Sequence, residues 1–203
     1  MRGVLLAALA AVPVACSSVA RSAEPLAEAR IVSDFDTYTL RRIGLVPFAG
    51  DGLARARSEE LQAAFFAEIS AATPFEVVPL ALRDLDEIRL SEPYRRGAYE
   101  PRMIIDLSRR FNLDAILIGT VTDQQYFPPQ RLGIQVDMVA AETGLVIWSS
   151  SLQLDASKRR VRDSLRVWSQ LDQGDLDGDD WELALISPRR FGRFAAWQVA
   201  RLL

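Results

Sequence analysis

The chain's only cysteine, Cys16, is the residue whose type and position point most directly to chemistry. With no second cysteine, the 203-residue chain cannot form an intrachain disulfide. It also contains no histidine, so it lacks the commonest general base and the commonest zinc ligand. Any chemistry at Cys16 is therefore that of a single thiol near the amino terminus.

The residues before Cys16 have the three parts of an export signal. Arg2 supplies a positive charge, residues 4–12 form an apolar run, and small residues lead into the cysteine. The run is shorter than the roughly 20 residues that a membrane-spanning helix needs. The region resembles a bacterial lipoprotein signal, in which a small residue, here Ala15, precedes a lipidated cysteine. Pro13 departs from that pattern, since a branched aliphatic residue is usual there.

This resemblance implies a signal peptide over residues 1–15 and a lipid anchor, including palmitate, on Cys16. It implies a periplasm-facing protein on the cell membrane or the outer membrane; Ser17 after the cysteine favours the outer membrane under enterobacterial sorting rules. Two alternatives are an ordinary secreted protein cut at a nearby small residue and a soluble protein with an apolar first helix. We favour the lipoprotein because the cysteine stands where the apolar run gives way to a polar segment.

Carboxylates are the other residues that could do chemistry. They pair at Asp34 and Asp36, at Asp84 and Asp86, and at Asp179 and Asp180. Such pairs perform acid–base catalysis in glycosidases, but a chain with 27 acidic residues contains them by chance. The acidic loop over residues 172–182 fails the calcium-binding EF-hand spacing in both registers. We therefore predict no catalytic residue, no metal and no cofactor.

Two kinds of surface feature are candidates for contact with other molecules. Tyr126 and Phe127 precede two prolines at a predicted loop tip and are the candidate partner contact, although they could equally cap the end of the sheet. Basic runs over residues 158–166 and 189–193 could meet anionic lipid headgroups, an acidic partner or only solvent. The net charge of −3 and the absence of a long basic stripe argue against nucleic acid.

Hydrophobic patterning predicts the elements that must position these residues. Short aliphatic runs over residues 42–48, 75–80 and 114–123 predict buried strands, and residues 132–139 and 145–154 predict a hairpin. Apolar residues at helical spacing separate and follow these strands. The pattern predicts an α/β fold leaning towards α+β: one mixed sheet of about five strands with helices packed on it, ending in an antiparallel meander. The domain is predicted over residues 40–203, after a polar tether over residues 16–39.

Two motifs connect this arrangement to a known group. Residues 114–121 read DAILIGTV, and residues 143–148 read TGLVIW. With the strands before them, they resemble envelope lipoproteins and assembly factors that share the fold of the TolB amino-terminal domain, CsgG and LpoB. The resemblance covers roughly residues 40–155 and implies a membrane-anchored, non-enzymatic assembly, scaffold or partner-activating factor with an envelope protein partner. The alternatives are a CsgG-like oligomeric secretion component and a small-ligand or carboxylate-only hydrolase module.

Overall fold

The computed structural model describes residues 25–86, 101–173 and 181–203. Six strands are present: β1 (Ala27–Ile31), β2 (Arg42–Leu45), β3 (Glu76–Pro79), β4 (Ala115–Gln125), β5 (Arg131–Ala140) and β6 (Val146–Asp155). The helices are α1 (Arg55–Ala72), α2 (Leu82–Asp86), α3 (Pro101–Phe111), α4 (Arg159–Gln173), α5 (Trp181–Ile186) and α6 (Pro188–Ala200). None of these described helices is both long enough and apolar enough to cross a bilayer.

The strands form one mixed sheet in the order β1-β6-β5-β4-β2-β3. Strand β2 runs parallel to β3 and β4, with α1 as the crossover between β2 and β3. Strands β4, β5 and β6 form an antiparallel meander, and β1 pairs antiparallel with β6. The predicted fold class and the meander are therefore confirmed, with one strand more than the five expected.

The additional strand, β1, lies inside the segment predicted to be a polar tether. Its five residues read AEARI, and Ala27 is buried against the sheet while Glu28 and Arg30 face solvent. The inward positions of this edge strand are mostly alanines, so the alternation carries little hydrophobic contrast and gives only a weak strand signal. The tether as predicted is thus too long, because the folded domain begins before residue 40.

Helices cover both faces of the sheet. The first face carries the larger core, in which Phe65 of α1, Phe194 of α6 and Trp168 of α4 pack against strand residues. Trp148 of β6 is fully buried there, and its indole N–H donates to the Leu202 carbonyl at 3.1 Å. The second face carries a smaller core formed by α2, α3 and the central strands. Burial of side chains of this size stabilises the fold by about 1.5–3 kcal/mol each.

Local sequence features explain where the major helices begin and end. In α1 the buried residues Leu61, Phe65 and Ile69 recur at a spacing of four, as the periodicity predicted. The helix ends at Ala72 and is capped by Thr73, whose backbone N–H donates to the Ile69 carbonyl at 3.0 Å. Helix α6 begins after Ser187, whose hydroxyl accepts the Arg190 N–H, with proline in the first turn.

Candidate functional site

The connection between β4 and β5 forms a tip, which contains both predicted contact residues. The two residues differ in how far they are exposed to solvent. Phe127 is 81% exposed, whereas Tyr126 is half-buried. The Tyr126 ring lies beneath the Arg57 guanidinium of α1, with 4.8 Å from Arg57 Cζ to the ring centroid. Its hydroxyl donates to Oε1 of Gln124. Tyr126 therefore attaches the tip to the domain, and Phe127 is the residue that the tip presents.

The backbone of the tip is held by its own neighbours. Gln125 Nε2 donates to the carbonyls of Phe127 at 3.2 Å and Pro129 at 2.8 Å. Gln130 is almost fully buried, and its carbonyl accepts the Ala156 N–H at 2.9 Å. A tip tied at both ends loses little conformational entropy on binding, which favours its use as a contact.

Three further elements meet at this end of the sheet, which we call the tip end. Because β4, β5, β6 and β1 alternate in direction, β4 and β6 end there while β5 and β1 begin there. Helix α4 starts shortly after β6, and Nη2 of Arg160 donates to the Pro25 carbonyl at 2.9 Å. The tip, the start of α4 and the entry of the chain into the domain are thus neighbours.

A turn joins β6 to α4. The Ser157 hydroxyl and its backbone N–H, at 2.8 Å, donate to the Asp155 carboxylate and hold the pKa of that carboxyl below its ordinary value. The carboxylate therefore stays charged to a lower pH than a free aspartate. Its contribution to stability is complete above the ordinary aspartate pKa and is lost as the pH falls through the lowered value.

The two basic runs differ in their surroundings. Along α4, four exposed cations, Lys158, Arg159, Arg160 and Arg162, cluster at the start of the helix. On α6, Arg189, Arg190 and Arg193 line a cleft of about 780 Å³ whose other wall is α1. That wall supplies carboxylates, since Glu60 lines the cleft and Glu68 lies 3.3 Å from Nε of Arg193. The α6 run is therefore partly balanced by acids, and the α4 run is the more exposed of the two.

The carboxylates at the end of the sheet opposite the tip either hold the backbone or face solvent. A cleft of about 600 Å³ at the end of the sheet opposite the tip contains Asp114 and Glu142. Oδ2 of Asp114 accepts the backbone N–H groups of Arg41 at 2.8 Å and Arg42 at 2.9 Å, which joins the approach to β2 to the start of β4. Glu142 lies on the exposed β5–β6 turn. This cleft therefore contains one carboxylate that orders the backbone and one that faces solvent.

The carboxylate pairs named from the sequence, where the structure describes them, also face solvent or accept from the backbone. Asp34 and Asp36 are exposed, and Oδ2 of Asp84 accepts the Ala81 N–H at 2.8 Å at the start of α2. Within the described ranges, no three acidic or cysteine residues lie close enough to hold a metal ion. The side chains of Asp86, Asp179 and Asp180, and most of the acidic loop, lie outside the described residues. Cys16 also lies outside them.

One buried carboxylate was not singled out from the sequence. Asp137 of β5 is only 3% exposed, and its oxygens accept from Ser149 Oγ at 2.5 Å and Gln135 Nε2 at 3.1 Å. In the sequence, Asp137 occupies a polar position of an alternating strand, and this pattern predicts that its side chain faces solvent. The cross-strand position of Ser149, which only the register shows, supplies a partner inside the sheet.

Comparisons with protein-family models and with curated proteins found no match. Several solved structures are similar at low identity. Lipoprotein GNA1162 from Neisseria meningitidis is 20% identical over 67% of this chain and 99% of its own, with a TM-score of 0.47. PelC from Paraburkholderia phytofirmans, a dodecamer, is 11% identical over 68% and 87%, with a TM-score of 0.46. The LpoB C-terminal domain from Salmonella enterica is 18% identical over 59% and 87%, with a TM-score of 0.39. Similarity at this level assigns no activity to this chain.

Proposed function

We propose that this protein is a lipid-anchored, periplasm-facing envelope lipoprotein that acts by binding a protein partner and has no catalytic activity of its own. The observation that carries the proposal is the position of Cys16, the only cysteine, directly after an apolar run and a small residue. Acylation of that thiol and of the new amino terminus would supply more than the two lipid signals that stable anchoring requires.

The start of the folded domain limits how far it can stand from such an anchor. Pro25 is already in contact with α4, and nine peptide bonds separate it from Cys16. A fully extended chain of that length spans at most about 32 Å. The anchored domain is therefore held close to its own membrane, and a partner must reach it there.

Phe127 is the contact that the geometry favours for this partner. It is a large apolar side chain left in water on a tip whose backbone is held by Gln125 and whose base is attached through Tyr126. Aromatic residues presented by ordered segments supply a large share of binding energy at protein interfaces. The sequence proposed Tyr126 and Phe127 together; the half-buried Tyr126 supports the tip rather than extending the contact.

A non-enzymatic role agrees with the chemistry available. The chain has no histidine, and the best-placed described carboxylate, Asp114, is engaged by two backbone N–H groups. A CsgG-like oligomeric secretion component remains the alternative, and ring-shaped oligomers of the full chain in detergent would favour it. Turnover of a small ester or glycoside that depends on Asp114 and Glu142 would favour the hydrolase alternative.

The anchor is tested by replacing Cys16 with alanine. We expect the variant to take up no labelled palmitate and to leave the membrane fraction in which the parent is found, because no thiol remains to be acylated. Metabolic labelling followed by membrane fractionation measures both. Ser17→Ala, at the neighbouring position, is the matched control and should label like the parent. Undiminished palmitate uptake by Cys16→Ala, together with unchanged fractionation, would show that the lipoprotein assignment is wrong.

The partner contact is tested at Phe127 in living cells. We expect benzoylphenylalanine at position 127 to form a discrete crosslinked protein species, and the same probe at Leu145 to form none. Leu145 is a fair control because it is 61% exposed on a turn at the opposite end of the sheet. Phe127→Ser should change the unfolding free energy by less than about 0.5 kcal/mol, because the side chain is already in water. Equal crosslinking from both positions would remove Phe127 as the contact.

A further inference from the structure

We infer that the four cations at the start of α4, Lys158, Arg159, Arg160 and Arg162, bind the anionic headgroups of the membrane that holds the anchor, and so orient the tip end towards the lipid. We call these residues the α4 basic patch. The inference rests on the proposed lipid anchor and adds to it a second, electrostatic contact. Its occupant is a lipid surface rather than a protein.

The first observation is the place where the chain enters the domain. Arg160 donates to the Pro25 carbonyl at 2.9 Å, so the patch lies beside the last described residue on the way to Cys16. The nine peptide bonds between Cys16 and Pro25 keep Pro25 within about 32 Å of the acylated cysteine, and Arg160 of the patch contacts Pro25 directly. Tethering at this range gives a high effective concentration of headgroups, so contacts too weak to recruit a free protein become populated.

The second observation is that the helix itself does not favour cations at this position. The amino terminus of a helix carries a partial positive charge, which favours acidic residues in the first turn. The first turn of α4 contains no acidic residue and begins with Arg159 and Arg160. The helix dipole therefore does not account for this placement, whereas an anionic surface outside the molecule would.

The third observation is the balance and exposure of charge. Between residues 155 and 166 the chain has five cations and two carboxylates, although the whole protein carries a net charge of −3. Asp163 lies 3.5 Å from Arg159, and the Arg159 side chain is still 89% exposed. A cluster of four or more exposed Lys and Arg residues close to a membrane anchor is attracted to anionic lipid headgroups.

The test uses the full mature lipidated chain reconstituted into vesicles of phosphatidylcholine alone, or with 30% phosphatidylglycerol. A dye on Asp163→Cys reports energy transfer to headgroup-labelled lipid, and the same dye on Glu142→Cys reports from the opposite end of the sheet. Acylation of Cys16 leaves the introduced cysteine as the only reactive thiol. We expect phosphatidylglycerol to raise transfer at position 163 by about twofold, and high salt to remove the gain. Transfer at position 142 should not rise.

Lys158→Glu/Arg162→Glu should abolish this gain without lowering the melting temperature, since both changes place acids near a helix amino terminus. Arg102→Glu/Arg109→Glu on α3, with the same change in net charge on the other face of the sheet, should retain it. Anchored protein with equal transfer in both vesicles overturns the inference alone. Protein that does not float with either vesicle overturns the anchor and the inference together. Loss of the Phe127 crosslink in the α4 double variant, with lipid-dependent transfer unchanged, would assign the patch to a protein and overturn the inference.

Discussion

Replacing Gly119 with alanine is expected to lower the free energy of unfolding by about 3 kcal/mol. A methyl group on Gly119 would stand 2.3–2.5 Å from three atoms of the Phe48 ring. That ring is buried and packs on Phe65 with 4.6 Å between centroids, so moving it away from the new methyl group would disturb the core. Gly119 lies in the central strand β4, where backbone displacement would also strain pairing with β5. Urea denaturation of the domain measures the change.

Two further variants test this explanation for Gly119. Gly192→Ala in α6 is the matched control, since its methyl group would meet only the flexible end of Leu61, at 3.1 Å. Alanine also improves helix propensity by up to about 1 kcal/mol, so this variant should be neutral or slightly stabilised. Adding Phe48→Leu to Gly119→Ala should recover part of the loss if ring contact is its cause. Equal stability of Gly119→Ala and the parent would contradict the close packing described.

Replacing Asp114 with alanine is expected to cost about 2–4 kcal/mol of unfolding free energy. One carboxylate oxygen accepts the backbone N–H groups of Arg41 and Arg42, and both bonds involve a charged acceptor. Removing it leaves two donors without this partner where the chain enters β2. Because Asp114 directly precedes β4, its loss should weaken the parallel pairing of β2 with β4. Denaturation and amide exchange of Ile43 and Gly44 measure the two effects.

Conservative and distant variants distinguish this local effect from a general loss of charge. Asp114→Asn retains an oxygen acceptor and should lose less stability than Asp114→Ala. Asp123→Ala is the control at the other end of β4; its carboxylate lies 3.8 Å from Arg131 in a solvated pair. Exposed pairs of this kind contribute at most about 1 kcal/mol. If Asp123→Ala destabilises as strongly as Asp114→Ala, the backbone contacts of Asp114 are not the reason.

Both predictions concern the motif that carried the resemblance to envelope assembly factors. In DAILIGTV, Asp114 joins two strands and Gly119 admits an aromatic ring, and the residues between them form the central strand. The motif therefore describes requirements of the fold. It identifies no catalytic group, which is why the proposed function depends on the anchor and the surface instead.

The way the sheet is assembled brings the surface features discussed above to one end of the domain. Phe127, the α4 basic patch and Pro25 are far apart in the chain but lie at the tip end. If the patch faces the anchoring membrane, the tip is also on the membrane side of the domain. The partner that contacts Phe127 would then be a membrane protein or a protein held at the membrane surface.

Much of the architecture could be predicted because it depends on local patterns. Apolar runs such as residues 114–123 predicted the central strand, and the spacing of Leu61, Phe65 and Ile69 predicted α1. Strand β1 was missed because its stability comes from pairing with β6, more than 100 residues away, and little from its own side chains. Asp137 was missed for the same reason, since Ser149 becomes its partner only through strand register.

The candidate anchor could be predicted from a short stretch of sequence, because the resemblance to a lipidation signal depends on the residues immediately before the cysteine. The strands and helices with strong hydrophobic patterns could be predicted in the same way. The different roles of Tyr126, which supports the tip, and Phe127, which is exposed, follow from the folded arrangement, since Arg57 reaches Tyr126 from another element. The contact of Arg160 with Pro25, 135 residues earlier in the chain, also depends on the fold. Contacts of that range depend on the packing of the whole sheet, and no local pattern in either segment specifies them.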